Sequence, residues 1–525
     1  MKQSAVAILL LFAASAVLVS CGNNNYNYNL SSGPPLADPT KIKLHVFVSN
    51  PLYPNSSSTT PVLNVVDGQL DLISPGVISV VSSSPLPGMM VLFPNKRFTL
   101  VFSATNNSLT VVNNASQAVA QNSGGQSSSI TLPGFSESVV VAPDNVTGFA
   151  AVPTVAVTGQ SPGVVSVLNL SADSITASVP VAGARFLAQS HNGNRVLVLG
   201  SRPDTVTVFA PSAVGTSTDP RTDIQSALFD HPVWAAFSSD DSTAYVLSCG
   251  AECGGTTASI TAVDMNSNIP GPTIPLDAGT TGLLSSNTLY VAGTKPGPGT
   301  CAASSPTLAT TCGEVSVVDL AGQSVTATAT ITDGYHDHIE MGANNQLFIG
   351  AHTCTNINVA ASGNIPGEVR GCLSIFDTNK STVVVPPHLG DVTGIQPISR
   401  RNVVYVVQKG NLSIYDTTTD DLQKTQKPPQ ALLMQVLELQ EALMENQEAR
   451  LDDETAVMDQ LRPTLLEARE EFTAAYEAMG TRLSDLFVRW DADEDKAGVL
   501  NGIAEVVGTR GYLRRVLTNL NGTIS

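Results

Sequence analysis

Two hydrophobic rhythms divide the chain. From about residue 42 to 417, apolar residues come in short bursts, alternating with polar residues or unbroken, each closed by Gly, Pro, Asn, Asp or Ser. That is the rhythm of short strands joined by turns. From residue 431 onward apolar residues recur every three or four positions, the rhythm of amphipathic helices.

The strand region is self-similar. A strand ending in a small or polar residue is followed by a turn or insertion, then by a strand of the type x-V-S-V-h-D. Copies include FTLVFSATNNSLTVVN, TAYVLSCG with ASITAVD, TLYVAGTK with GEVSVVD, and VVYVVQKGNLSIYD. Eight copies fall at intervals of roughly 40–60 residues. Such a period, with several strands per unit, predicts a β-propeller. Seven or eight blades both fit, because the first copy lacks a clear preceding strand.

The helical region begins after Pro428-Pro429. The pattern predicts one helix to about Arg450, a second over 454–490 and a third over about 496–519, a three-helix bundle. In the first helix Leu432, Val436, Leu439 and Leu443 form one stripe. Leu433, Met434 and Leu437 fall mostly beside it, flanked by Glu438 and Glu441. Either this is a wide buried face, or the second stripe is exposed for a partner.

Charge sharpens the boundary. Residues 426–525 hold 10 basic and 18 acidic residues, far denser than the rest of the 525-residue chain. The net charge of −18 excludes a nucleic-acid partner, which needs clustered Lys and Arg. At the N-terminus, Lys2 and an apolar run from Ala5 to Val19 read as an export signal, and Leu18-Val19-Ser20-Cys21-Gly22 reads as a lipobox with Cys21 as the lipidated residue. The organisation expected is a signal and lipobox at 1–21, a low-complexity tether at 22–41, the propeller at 42–420, a linker at 421–429 and the helical domain at 430–525. Acyl chains on Cys21 would hold the protein on a membrane outside the cytoplasm. An oxidising compartment lets the remaining cysteines close, and sequence neighbourhood pairs Cys249 with Cys253, Cys301 with Cys312 and Cys354 with Cys372.

The repeats carry a family resemblance. Tyr290-Val291-Ala292-Gly293 and Val315-Ser316-Val317-Val318-Asp319 resemble the two strands of the YVTN-type propeller repeat. The tail resembles the C-terminal domain of HscB, the J-protein co-chaperone of iron–sulfur cluster assembly. Leu433-Met434-Gln-Val-Leu437-Glu438-Leu439-Gln-Glu441 and Gly511-Tyr512-Leu513-Arg514-Arg515 carry it. That resemblance implies that Leu433, Met434, Leu437, Glu438, Glu441 and Tyr512 contact an iron–sulfur scaffold protein, and that the domain mediates oligomerisation. It also implies an Hsp70-type chaperone partner. The His-Pro-Asp of the J-domain is absent, however, since His231-Pro232 is followed by Val233.

The richest chemical cluster lies in the propeller: Asp333, His336, Asp337, His338 and Glu340, with His352 downstream. In a regular strand His336 and His338 would share a face. No CxxCH haem site occurs. These observations lead us to expect a non-enzymatic binding protein without metal or cofactor. It would be a lipid-anchored propeller that binds an unknown extracytoplasmic ligand and carries a scaffold-binding tail. The alternatives are an extracytoplasmic propeller enzyme, an oxidoreductase or a lactone hydrolase, and a chimeric reading frame with an unrelated envelope function. Convergent His, Asp or Glu side chains in the propeller's channel would favour the enzyme.

Overall fold

The computed structural model describes residues 42–50, 62–80, 87–295, 313–359, 368–422 and 455–524, apart from breaks of one to three residues, together with Pro39, Leu439, Ala442 and Asn446. Contacts divide the chain into two compact units: residues 78–424, and residues 1–77 with 425–525. The chain is an eight-bladed all-β propeller with a helical C-terminal region. Among the described residues seven sheets have at least four strands, and the first blade has three, His45–Asn50, Val62–Asp67 and Leu72–Ser79. The count is therefore eight.

In the seven larger sheets the strands recognised as motifs are the two central ones, the second and third. Thr243–Ser248 pairs antiparallel with Ala258–Asp264, and Thr288–Thr294 with Gly313–Asp319. Their apolar runs are unbroken because neighbouring sheets cover both faces. Leu197, Leu199, Val206 and Val208 of one sheet, for example, bury against Phe237, Ala244 and Val246 of the next.

The final Asp or Asn of the motif has a defined task. Asn113, Asn169, Asp264 and Asp377 each accept backbone N–H bonds from the residues two and three positions on. This side-chain turn starts the hairpin to the outermost strand. Four residues after each of these positions the backbone turns left-handed, at Gln117, Asp173, Asn268 and Ser381. At Asp319 the bond from Ala321, two positions on, and the left-handed Gln323, four positions on, repeat the pattern.

In the second unit, α1 (Thr455–Asp491) and α2 (Lys496–Ile524) are helices. Leu465, Phe472 and Leu486 of α1 are buried, as are Val499, Val506, Leu513 and Leu520 of α2. The seven-residue spacing gives each helix one continuous seam. Phe472 packs with Leu513 and Leu520, and Leu486 with Val499 and Val506, so the helices run antiparallel. Buried Leu439 joins the same core. The expected three-helix bundle is not shown, because the rest of its first helix lies outside the described residues. Among the described residues no helix is long and apolar enough to cross a membrane.

Candidate functional site in the propeller channel

The first strands of six successive sheets, among them Ala184–Gln189, Pro232–Phe237, Thr281–Ser285 and Tyr335–Met341, line a cavity of ≈640 Å³. These innermost strands are the ones the sequence reading did not single out. Phe186, Trp234 and Leu283 give the cavity apolar walls, and Asp337, His338 and Glu340 bring ionisable groups to it.

Asp337 ties two histidines together. Its Oδ1 meets His338 Nδ1 at 2.5 Å and its Oδ2 meets His352 Nε2 at 2.8 Å. The two rings stand edge to face, 5.9 Å between centroids. One donor atom from each residue lies within 4.8 Å of the other two. All three side chains keep about a third of their surface accessible, so small solutes can reach them. Burial works to raise the Asp337 carboxyl, but hydrogen bonds and charge from His338 and His352 outweigh it and hold it below the usual carboxylate range. Its hydrogen bond to Asp337 raises His352 in turn, against the effect of burial. Burial raises Glu340.

A bulge creates this grouping. His336 pairs with Ala351 and His338 with Gly350, leaving Asp337 as an extra residue between them. A bulge re-aims the side chains that follow it. The expected sharing of one face by His336 and His338 is thereby corrected. His336 is fully buried, with Nε2 bonded to the Thr332 carbonyl at 3.0 Å, while its own carbonyl accepts from Thr280 Oγ1 at 2.7 Å. Burial lowers its pKa to about 4, so it is neutral. The residue that shares hydrogen bonds with His338 and His352 is Asp337 instead.

The chain around His352 is tightly held. Thr353 adopts φ 52°, a left-handed conformation that a β-branched residue rarely takes, and its N–H donates to Asp391 Oδ1 at 2.7 Å. Thr355 N–H donates to Asp333 Oδ1 at 2.7 Å. Between them Cys354 is disulfide-bonded to Cys372. Gly334, at φ 99°, leaves no room for a side chain, since a Cβ there would lie 2.3 Å from the His352 carbonyl.

A second disulfide, Cys249–Cys253, closes a turn at the same end of the blades, where the first strands begin and the middle strands connect. Within it Glu252 accepts the Thr294 N–H at 3.0 Å, and burial pushes its carboxyl up to about 7. Cys21, Cys301 and Cys312 lie outside the described residues. So do Leu433, Met434, Leu437, Glu438 and Glu441; Tyr512 falls within α2, and its side chain is not described.

No family model and no curated protein matches the chain, so neither the YVTN nor the HscB resemblance is joined by one. Solved structures do match. Dihydro-heme d1 dehydrogenase NirN, solved in complex with DHE, aligns at a TM-score of 0.51 and 13% identity, over 75% of this chain and 74% of that one. Hydrazine synthase of Kuenenia stuttgartiensis aligns at 0.39 and 16% identity, over 54% and 76%. The β-propeller domain of Myceliophteria thermophila Cps50 (Swd1) aligns at 0.41 and 7% identity, over 63% and 96%. These likenesses concern the fold. They nevertheless correct the expectation of a non-enzymatic protein: the fold of a dehydrogenase is shared, and the channel carries the convergent Asp337, His338 and Glu340 that mark the enzyme alternative.

Proposed function

We propose that the chain is an extracytoplasmic propeller enzyme that hydrolyses a small ester or lactone in its channel. The observation that carries this reading is the grouping of Asp337 and His338, which line the cavity together with apolar Phe186, Trp234 and Leu283, with His352, which bonds to Asp337. One carboxylate fixes both imidazoles, and an imidazole held in this way is positioned to act as a general base toward water. The apolar body of the substrate would lie against Phe186, Trp234 and Leu283. The water oxygen bonds to the acyl carbon, the acyl–oxygen bond breaks, and the proton released from water reaches the leaving alkoxide. The address rests on the lipobox at Cys21 and is supported by the two disulfides, which persist in an oxidising compartment.

The test is turnover of a panel of chromogenic esters and lactones by the purified full chain. Asp337→Asn and His338→Gln should each lower kcat/KM about 100-fold or more, the range that loss of general-base catalysis gives. Absence of turnover across the panel, or turnover indifferent to both substitutions, overturns the proposal.

A further inference from the structure

The three groups that Asp337 gathers have the composition of a metal site. We propose that Asp337, His338 and His352 bind one divalent transition ion of the zinc type, which activates the hydrolytic water. This rests on the enzyme reading above and specifies how its site works. One donor atom from each residue lies within 4.8 Å of the other two, and His338 Nδ1 and His352 Nε2 are the nitrogens that face the Asp337 carboxylate. Bonds of roughly 2.0–2.1 Å to one ion bring tetrahedral donors to roughly 3.4 Å apart, so small side-chain rotations close the set. The cation takes the place of the protons that now join the imidazoles to the carboxylate.

Ligand chemistry selects the ion. Two imidazoles and one carboxylate suit zinc and its neighbours, whereas calcium and magnesium demand a shell of oxygens. Cys249, Cys253, Cys354 and Cys372 are spent in disulfides, so they offer no competing thiolate. Three protein ligands leave a fourth position open for water, as in catalytic zinc sites.

The backbone positions the cluster: a bulge that the other blades carry at Arg185, Val233 and Thr393 here presents a carboxylate, and two further features hold the chain beside His352. The bulge brings Asp337 between the two histidines. Thr353 is held left-handed beside His352 by its bond to Asp391. Gly334 lies against the His352 carbonyl, where no side chain fits. Strain of this kind persists only where the surroundings impose it, and it gathers at functional sites. The His231–Asp230 pair is an internal comparison: its contact is also 2.8 Å, but no second histidine joins it.

The experiment is calorimetric titration of zinc into the tag-free, chelator-treated full chain. A parallel titration with Co²⁺ is read by visible absorption, which reports a four-coordinate site. Wild type should bind one ion per chain. His338→Gln, His352→Gln and Asp337→Asn should each weaken binding about 100-fold or more, and His231→Asn should leave it unchanged. Near-ultraviolet circular dichroism identifies any variant that fails to fold; the His338→Gln and His352→Gln comparison then decides. Failure of wild type to bind stoichiometrically, or equal binding by all three variants, overturns the inference. If the chelated chain hydrolyses its substrate at full rate, the metal fails and the enzyme reading stands. If zinc binds as described but no substrate turns over, the site stands and the enzyme reading fails.

Discussion

Glu252 offers a quantitative test of burial at the end of the blades that carries the disulfides. It sits in the Cys249–Cys253 turn, accepts the Thr294 N–H at 3.0 Å, and has no cation paired with it among the described residues. Burial raises its carboxyl from an ordinary 4.5 to about 7. The sign follows from linkage. The folded state prefers the protonated form, so the stability it contributes is complete below 4.5 and is lost as pH rises through about 7. At about 1.4 kcal/mol per pH unit, that interval amounts to roughly 3 kcal/mol. Glu252→Gln keeps an oxygen for the Thr294 N–H and removes the titration. The variant should match wild type near pH 4.5 and exceed it by up to roughly 3 kcal/mol at pH 8. The assay is urea unfolding followed by tryptophan fluorescence. The chain holds two tryptophans, and Trp490→Phe leaves Trp234 as the reporter of the propeller. A difference independent of pH would refute burial as the cause, and a wild type more stable than the variant above pH 7 would show that the ionised carboxylate is paired.

Other expectations follow from the same geometry. Gly334→Ala places a Cβ against the His352 carbonyl in a left-handed conformation and should cost about 1–3 kcal/mol, read as a lowered urea midpoint. Cys354→Ser with Cys372→Ser opens a loop of sequence separation 18 and should cost about 3 kcal/mol, measured the same way. Asp264→Ala removes the acceptor for the Asn266 and Ser267 N–H groups and should lower the urea midpoint of the propeller, whereas Asp264→Asn, which keeps the acceptor, should restore it. Phe472→Ala should destabilise the helical unit by about 3–5 kcal/mol, seen as an earlier loss of far-ultraviolet helix signal, while Trp234 fluorescence keeps its midpoint.

What the sequence shows and hides depends on which surface a residue faces. The middle strands are legible because both their faces are covered: a residue such as Val246 or Val318 has no solvent to face, and the resulting apolar run stands out. The limits of α1 are legible for a related reason, since a seam at seven-residue spacing survives any detail of the tertiary structure. The innermost strands face a channel on one side, so Tyr335–Met341 mixes His, Asp, Glu and Ile and reads as a polar strand end. The site was therefore half visible. Its residue types stood together in the sequence, but period-two reasoning assigned the wrong pair to one face. A bulge adds one residue and inverts that reasoning for everything beyond it, with no sequence mark except the crowding of polar groups that the extra residue accommodates. Asp337 is such a residue. It displaces His336 into the core, turns His338 to the cavity, and draws in His352 from the neighbouring strand. The same bulge between the first two strands sets aside Arg185, Val233 and Thr393 in other sheets, so the chemistry of this propeller depends on the residue that the repeat places there, which in this blade is Asp337.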